Sequence, residues 1–83
     1  MLENQQTRIA VLGIIVEERE RAGEINELLH RNAAYVRGRL GLPDVKDGVS
    51  VISVVLDAPN DVINSLTGKL GMISGVKAKT LLR

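Results

Sequence analysis

Val49 to Leu56, VSVISVVL, is the stretch that most restricts what this chain can become. Val and Ile dominate it, and its apolar residues fall on both parities: Val49, Val51 and Val55 oppose Ile52, Val54 and Leu56. That pattern predicts a strand with two apolar faces. Directly after it, Asp57-Ala58-Pro59-Asn60 offers a side-chain oxygen to cap a helix and a proline for the first turn, where a missing N–H costs nothing. Ile63, Leu66 and Leu70, with Val62 beside them, then recur at spacings of three and four, which places one apolar stripe on a helix ending at Gly71. A strand that feeds a capped amphipathic helix is half of a small α/β unit.

The other half lies upstream. Ile9 to Val16, IAVLGIIV, is again apolar on both parities, so it predicts a central strand covered on both faces or paired with another chain. Glu17 to Gly23, EERERAG, is a charged connection. Ile25, Leu28 and Leu29 then give a helical stripe ending near Asn32, with Glu24 and Glu27 early and His30 and Arg31 in the last turn, the sign that the helix dipole favours. Tyr35 to Leu42 predicts a strand with one wet face, placing Val36, Leu40 and Leu42 on one side and Arg37 and Arg39 on the other. Pro43 to Gly48, PDVKDG, reads as the turn of a hairpin into the Val49 strand. Met72 to Gly75 is a loop, and Val76 to Leu82 closes the chain as a strand with Lys77 and Lys79 on one face.

The order strand, helix, strand, strand, helix, strand is the α+β ferredoxin-like βαββαβ pattern, a four-stranded antiparallel sheet with two helices on one face. Right-handed crossovers put the first and third strands in the centre. The apolar runs fall there, and the predicted edges carry Arg37, Arg39, Lys77 and Lys79, charges that blunt an open edge. Two helices cover only one face, yet both central strands are apolar on two. The chain is therefore expected to form a homodimer or a higher homo-oligomer.

A chain of 83 residues is one domain with a marginal core, here expected over residues 8–83 behind a polar, flexible lead-in, Met1 to Thr7. The absence of cysteine removes disulfides, thiolate metal ligands and a cysteine nucleophile. With 11 Lys and Arg against 10 Asp and Glu, the net charge of +1 exerts no general pull on nucleic acid or an acidic membrane. Tyr35 is the lone aromatic residue, so no stacking platform for single-stranded nucleic acid can be built and no direct nucleic-acid partner is expected. No apolar run approaches the roughly 20 residues that span a bilayer. A cytoplasmic protein with no membrane association and no cofactor is the expectation. His30 reads as a cation in a last helical turn, and no metal site is assigned.

Three segments together carry a resemblance: RIAVLGIIVEERE at Arg8 to Glu20, SVISVVLDAPNDVINSLTGKLG at Ser50 to Gly71, and GVKAKT at Gly75 to Thr80. They resemble the family of inferred regulators of the iron-only hydrogenase system, over about residues 8 to 80. The resemblance implies an ACT-like ferredoxin fold, similar to the C-terminal sensory domain of the nickel-responsive repressor, assembled as a dimer or more. That repressor's sensory domain holds metal through histidines and a cysteine, whereas this chain offers His30 alone, so regulation would run through a partner or a small-molecule effector.

Two clusters are candidate ligand sites. Glu18, Arg19, Arg21 and Gly23 occupy the strand-to-helix loop where ACT domains hold amino acids at a subunit interface, and backbone N–H groups with an arginine counter-ion could receive a carboxylate. The plainer alternative is a solvated loop with internal ion pairs. Asp57, Asn60, Asp61 and Asn64 form the second polar cluster, in which Asn60 and Asn64 share a helix face and Asp57, Asn60 and Asn64 are the candidate ligand residues. Capping accounts for Asp57 and turn propensity for Asn60, leaving Asn64 without a local reason. No catalytic residue is assigned. A non-catalytic regulatory or ligand-sensing module is the leading reading, with a structural interaction subunit as the alternative. An acylphosphatase-like hydrolase on the same fold is disfavoured, because the EERERAG loop sets three Glu beside two Arg and lacks a glycine-rich phosphate cradle.

Overall fold

A computed structural model of the chain describes residues 6–83, so Met1 to Gln5 of the expected lead-in lie outside the described residues. The elements are β1 (Arg8–Val16), α1 (Ala22–Arg31), β2 (Val36–Lys46), β3 (Val49–Ala58), α2 (Asn60–Gly71) and β4 (Val76–Leu82), with short 3₁₀ turns at Arg19–Arg21 and Ala33–Tyr35. All strand pairings are antiparallel, and the sheet order is β2-β3-β1-β4. The two apolar runs are thus the two central strands, as expected of a ferredoxin-like α+β fold. Register aligns them residue for residue, from Arg8 opposite Ala58 to Val16 opposite Ser50.

Parity decides which side of the sheet is the core. Ala10, Leu12, Ile14 and Val16 of β1 and Val54, Leu56 and Ala58 of β3 are buried with Ile25 and Leu29 of α1 and Ile63, Leu66 and Leu70 of α2. The alternate residues of the same strands face away from both helices. Each helix buries the stripe its spacing predicts, because residues three and four apart share a face.

Three local expectations are corrected. Pro43 to Lys46 belongs to β2, and the turn itself is only Asp47-Gly48, with φ of 52° and 79°. Positive φ at both central residues matches the twist of the flanking strands, and Asp-Gly is a preferred pair for it. Asp44, also at positive φ, sits in a register shift between Leu42 and Lys46, and its Oδ1 accepts the Gly48 N–H at 2.8 Å. Secondly, a bulge at Arg37 breaks the parity of β2: Val36 pairs with Leu56 and packs on the core, whereas Leu40 and Leu42 lie on the opposite face beside Ser53 and Val51. Arg39, opposite the buried Val54, therefore stands on the helix side, not on a wet face shared with Arg37. Thirdly, Asp57 does not cap α2. It is a β3 residue, and Pro59 occupies the cap position, its carbonyl accepting the N–H groups of Val62 and Ile63 at 3.1 Å.

Candidate functional site

The structure separates the candidate residues into two groups at opposite ends of the sheet. Glu18, Arg19, Arg21 and Gly23 follow the C-terminal end of β1, while Asp57 pairs with Ile9 at its start. Between Ser50 and Asp57 the strand covers about 23 Å at roughly 3.3 Å per residue, too far for one small ligand to bridge within a chain.

In the β1–α1 loop the charges largely satisfy one another. The Arg21 guanidinium donates to Glu24 at 2.9 Å and to Glu18 at 3.4 Å, while the Arg21 N–H donates to the Glu18 carbonyl at 3.0 Å. Its hydrogen bond and Coulomb attraction to Glu24, then to Glu18, raise the guanidinium's affinity for its proton, so it stays charged at any working pH. Arg19 is exposed and has no carboxylate within ion-pair distance among the described residues. Gly23 lies exposed in the first turn of α1, with open space where a Cβ would stand. This loop also rests on the α2–β4 connection: the Glu17 N–H donates to the Gly75 carbonyl at 2.7 Å, and Lys77 Nζ lies 3.7 Å from the Glu17 carboxylate.

At the other end, Arg37 Nη2 stands 3.7 Å from Asp57 Oδ2, and Asn60 Oδ1 accepts from Arg8 Nη1 at 3.4 Å. Arg8 also donates to the Arg83 carbonyl at 3.0 Å, so this end draws β1, α2 and the chain's last residue together. Asn64 is exposed, without a side-chain hydrogen bond among the described residues.

Two larger features complete the picture. On the helix-free face, Ile9, Val11 and Ile15 of β1 lie beside Val55, Leu40, Leu42 and Leu81, all between 38% and 71% exposed. Gly13 leaves a notch of about 330 Å³ on this face, flanked by Ile15, Val51, Lys77 and Lys79. On the helix side, a trough of about 440 Å³ runs between α1 and β2, bounded by Asn26, His30 and Arg39. The sequence reading missed this trough because the bulge that turns Arg39 inward has no local signature. Asn26, a poor helix former in mid-helix, was the available signal. No cluster of metal-ligating side chains occurs among the described residues, and no helix among them is long and apolar enough to cross a membrane.

Residues 8–80 match the model of the TM1266-like family, inferred regulators of the iron-only hydrogenase system. Among solved structures, the uncharacterized protein TM1266 from Thermotoga maritima is 42% identical, with a TM-score of 0.86 over 93% of this chain and 98% of that one. The C-terminal domain of the MgtC protein from Mycobacterium tuberculosis, at 12% identity and a TM-score of 0.75, covers 98% of this chain and 93% of its own. CPII, a nitrogen regulatory PII-like protein from Thiomonas intermedia bound to ADP, AMP and bicarbonate, shares 18% identity and a TM-score of 0.54, over 92% of this chain and 94% of that one. These two distant likenesses concern the fold. A search of curated proteins finds no match. The residues that match and the shared architecture agree, and the chain belongs to the TM1266-like family of inferred iron-only hydrogenase system regulators.

Proposed function

We propose that this chain is a non-catalytic regulatory module of the iron-only hydrogenase setting, that it works as a homo-oligomer, and that a small-molecule effector binds at a subunit boundary. The observation that carries the reading is the helix-free sheet face, where Ile9, Val11, Ile15, Leu40, Leu42, Val55 and Leu81 stand exposed together. A contiguous apolar patch of this kind marks an interaction surface, since monomers rarely leave one open to water. A second copy presents the same patch, so a two-fold contact would bury it symmetrically.

For the effector, the proposed residues are Glu18, Arg19, Arg21 and Gly23 at one end of the sheet, and Asp57, Asn60 and Asn64 at the other. Arg19 is the favoured counter-ion, because Arg21 is already engaged by Glu18 and Glu24. The PII-like protein from Thiomonas intermedia holds ADP, AMP and bicarbonate on a related fold, which makes those compounds, with free amino acids, the first to screen. Light scattering at micromolar concentration is expected to give a multiple of the 9.0 kDa chain mass. A monomer there would overturn the oligomer reading. A thermal-shift screen of the same compounds is expected to show stabilisation that Arg19→Ala removes; if none moves the melting temperature, the module is an interaction subunit without an effector.

A further inference from the structure

The helix-bearing side of the sheet is not fully covered. α2 packs mainly on β4 and β1, and α1 reaches the centre through Ile25 and Leu29, which leaves the helix side of edge strand β2 as the floor of the trough. Its volume of about 440 Å³ falls within the range of small-molecule sites, roughly 300–1,000 Å³. Leu29, Ala33, Val36 and Val54 give it an apolar lining, and its polar groups are Asn26 and His30 from α1 and Arg39 from β2.

Arg39 is the informative residue. Its Nη2 donates to Asn26 Oδ1 at 2.9 Å, and among the described residues it has no carboxylate within ion-pair distance, which is true of Arg8 and Arg19 too, but Arg39 is the one of these three that lines the trough. A guanidinium carries five N–H donors in a planar fork that matches a carboxylate or phosphate, and a neutral amide uses only part of it. The Arg37 bulge sets this side chain on the helix side, and bulges are frequent where a strand must re-aim a residue beside a site. Asn26 gains its reason here too, because its carbonyl holds the guanidinium across the trough.

We propose that the trough binds a small amphiphilic oxyanion. Its carboxylate or phosphate head sits on Arg39, with His30 as a second polar contact, and its apolar body lies against Leu29, Ala33, Val36 and Val54. The site lies on the opposite side of the sheet from the exposed apolar face and does not depend on the oligomer described above.

An NMR titration of the intact, amide-labelled chain tests the assignment, using hexanoate and hexyl phosphate as probes and hexanol and hexylammonium as controls. Either anion is expected to shift the amides of Asn26, His30, Ala33, Val36 and Arg39, at least tenfold more tightly than either control, and the tighter anion identifies the head group. Arg39→Gln is expected to weaken it at least tenfold. Ala33→Phe, which fills the trough from an exposed position, is expected to do the same, and it decides the matter if Arg39→Gln disturbs the fold. The proposal is overturned by the absence of shifts at millimolar anion, by equal binding of hexanol or hexylammonium, by shifts centred on Ile9, Val11 and Leu40, or by full binding in the deciding variant.

Discussion

Gly75 shows how much a single backbone angle can demand. Its φ is +76°, and a Cβ built there would stand 2.6 Å from the Glu18 side chain, which lies directly over it. Gly48 has a similar φ of +79° but nothing within 4 Å of that position. The left-handed conformation costs an L-residue roughly 1–2 kcal/mol, so both glycine-to-alanine changes carry that term. Gly75→Ala carries a steric term besides. In urea denaturation, Gly48→Ala is expected to lose about 1 kcal/mol and Gly75→Ala clearly more, with the excess removed in a Glu18→Ala background. Equal losses for the two variants would show that Glu18 gives way freely. The sequence marked Gly75 as a loop glycine, but nothing local revealed that a glutamate from the β1–α1 connection rests on it. Asp57 failed for a related reason: an oxygen suited to capping stands two residues before the cap position, still in β3, and meets Arg37 instead.

At the scale of elements, α2 was legible from its stripe, while its fastening to the sheet was not. Thr67 Oγ1 donates to the Ile63 carbonyl at 2.8 Å and lies 2.6 Å from Thr80 Oγ1, so Thr80 donates in turn and the hydroxyl pair joins α2 to edge strand β4. A neutral hydrogen bond of this kind contributes about 1 kcal/mol net. Thr67→Val and Thr80→Val are each expected to destabilise the fold, and a double-mutant cycle in urea should return a coupling of roughly 0.5–1.5 kcal/mol. Strictly additive losses would place the two hydroxyls in water. The hairpin of β2 and β3 tells the same story, since Pro43 to Gly48 read as its turn but β2 runs on through Pro43 to Lys46. Proline is tolerated there because β2 is an edge strand and Pro43 lies in the register shift between Leu42 and Lys46, where no ladder pairing is made.

For the whole molecule, the two faces of one sheet differ in burial. Leu12 and Val11 are neighbours on β1, yet Leu12 is fully buried under the helices and Val11 stands on the helix-free face between Val55 and Leu81. Leu12→Ala leaves a cavity in the core and is expected to cost about 2–5 kcal/mol in chemical denaturation. Val11→Lys is expected to keep the native circular dichroism spectrum and to shift the chain toward its monomer mass in light scattering. A charge at the middle of a buried subunit contact is costly, whereas the same charge in water is not. An oligomer that Val11→Lys left intact would overturn the proposed contact through this face.

Sequence alone determined the element order, the two central strands, the helix stripes and the presence of a second apolar face. Each of these is written in short-range periodicity, which the backbone geometry of strands and helices reads directly. Tertiary structure decided what periodicity cannot carry. The bulge at Arg37 set Val36 and Arg39 on the same face of the sheet, the antiparallel register set the two candidate clusters at opposite ends of β1, and the gap between α1 and β2 opened the trough. These outcomes rest on contacts between residues far apart in the chain, where a shift of one residue in pairing moves a side chain from one face of the sheet to the other.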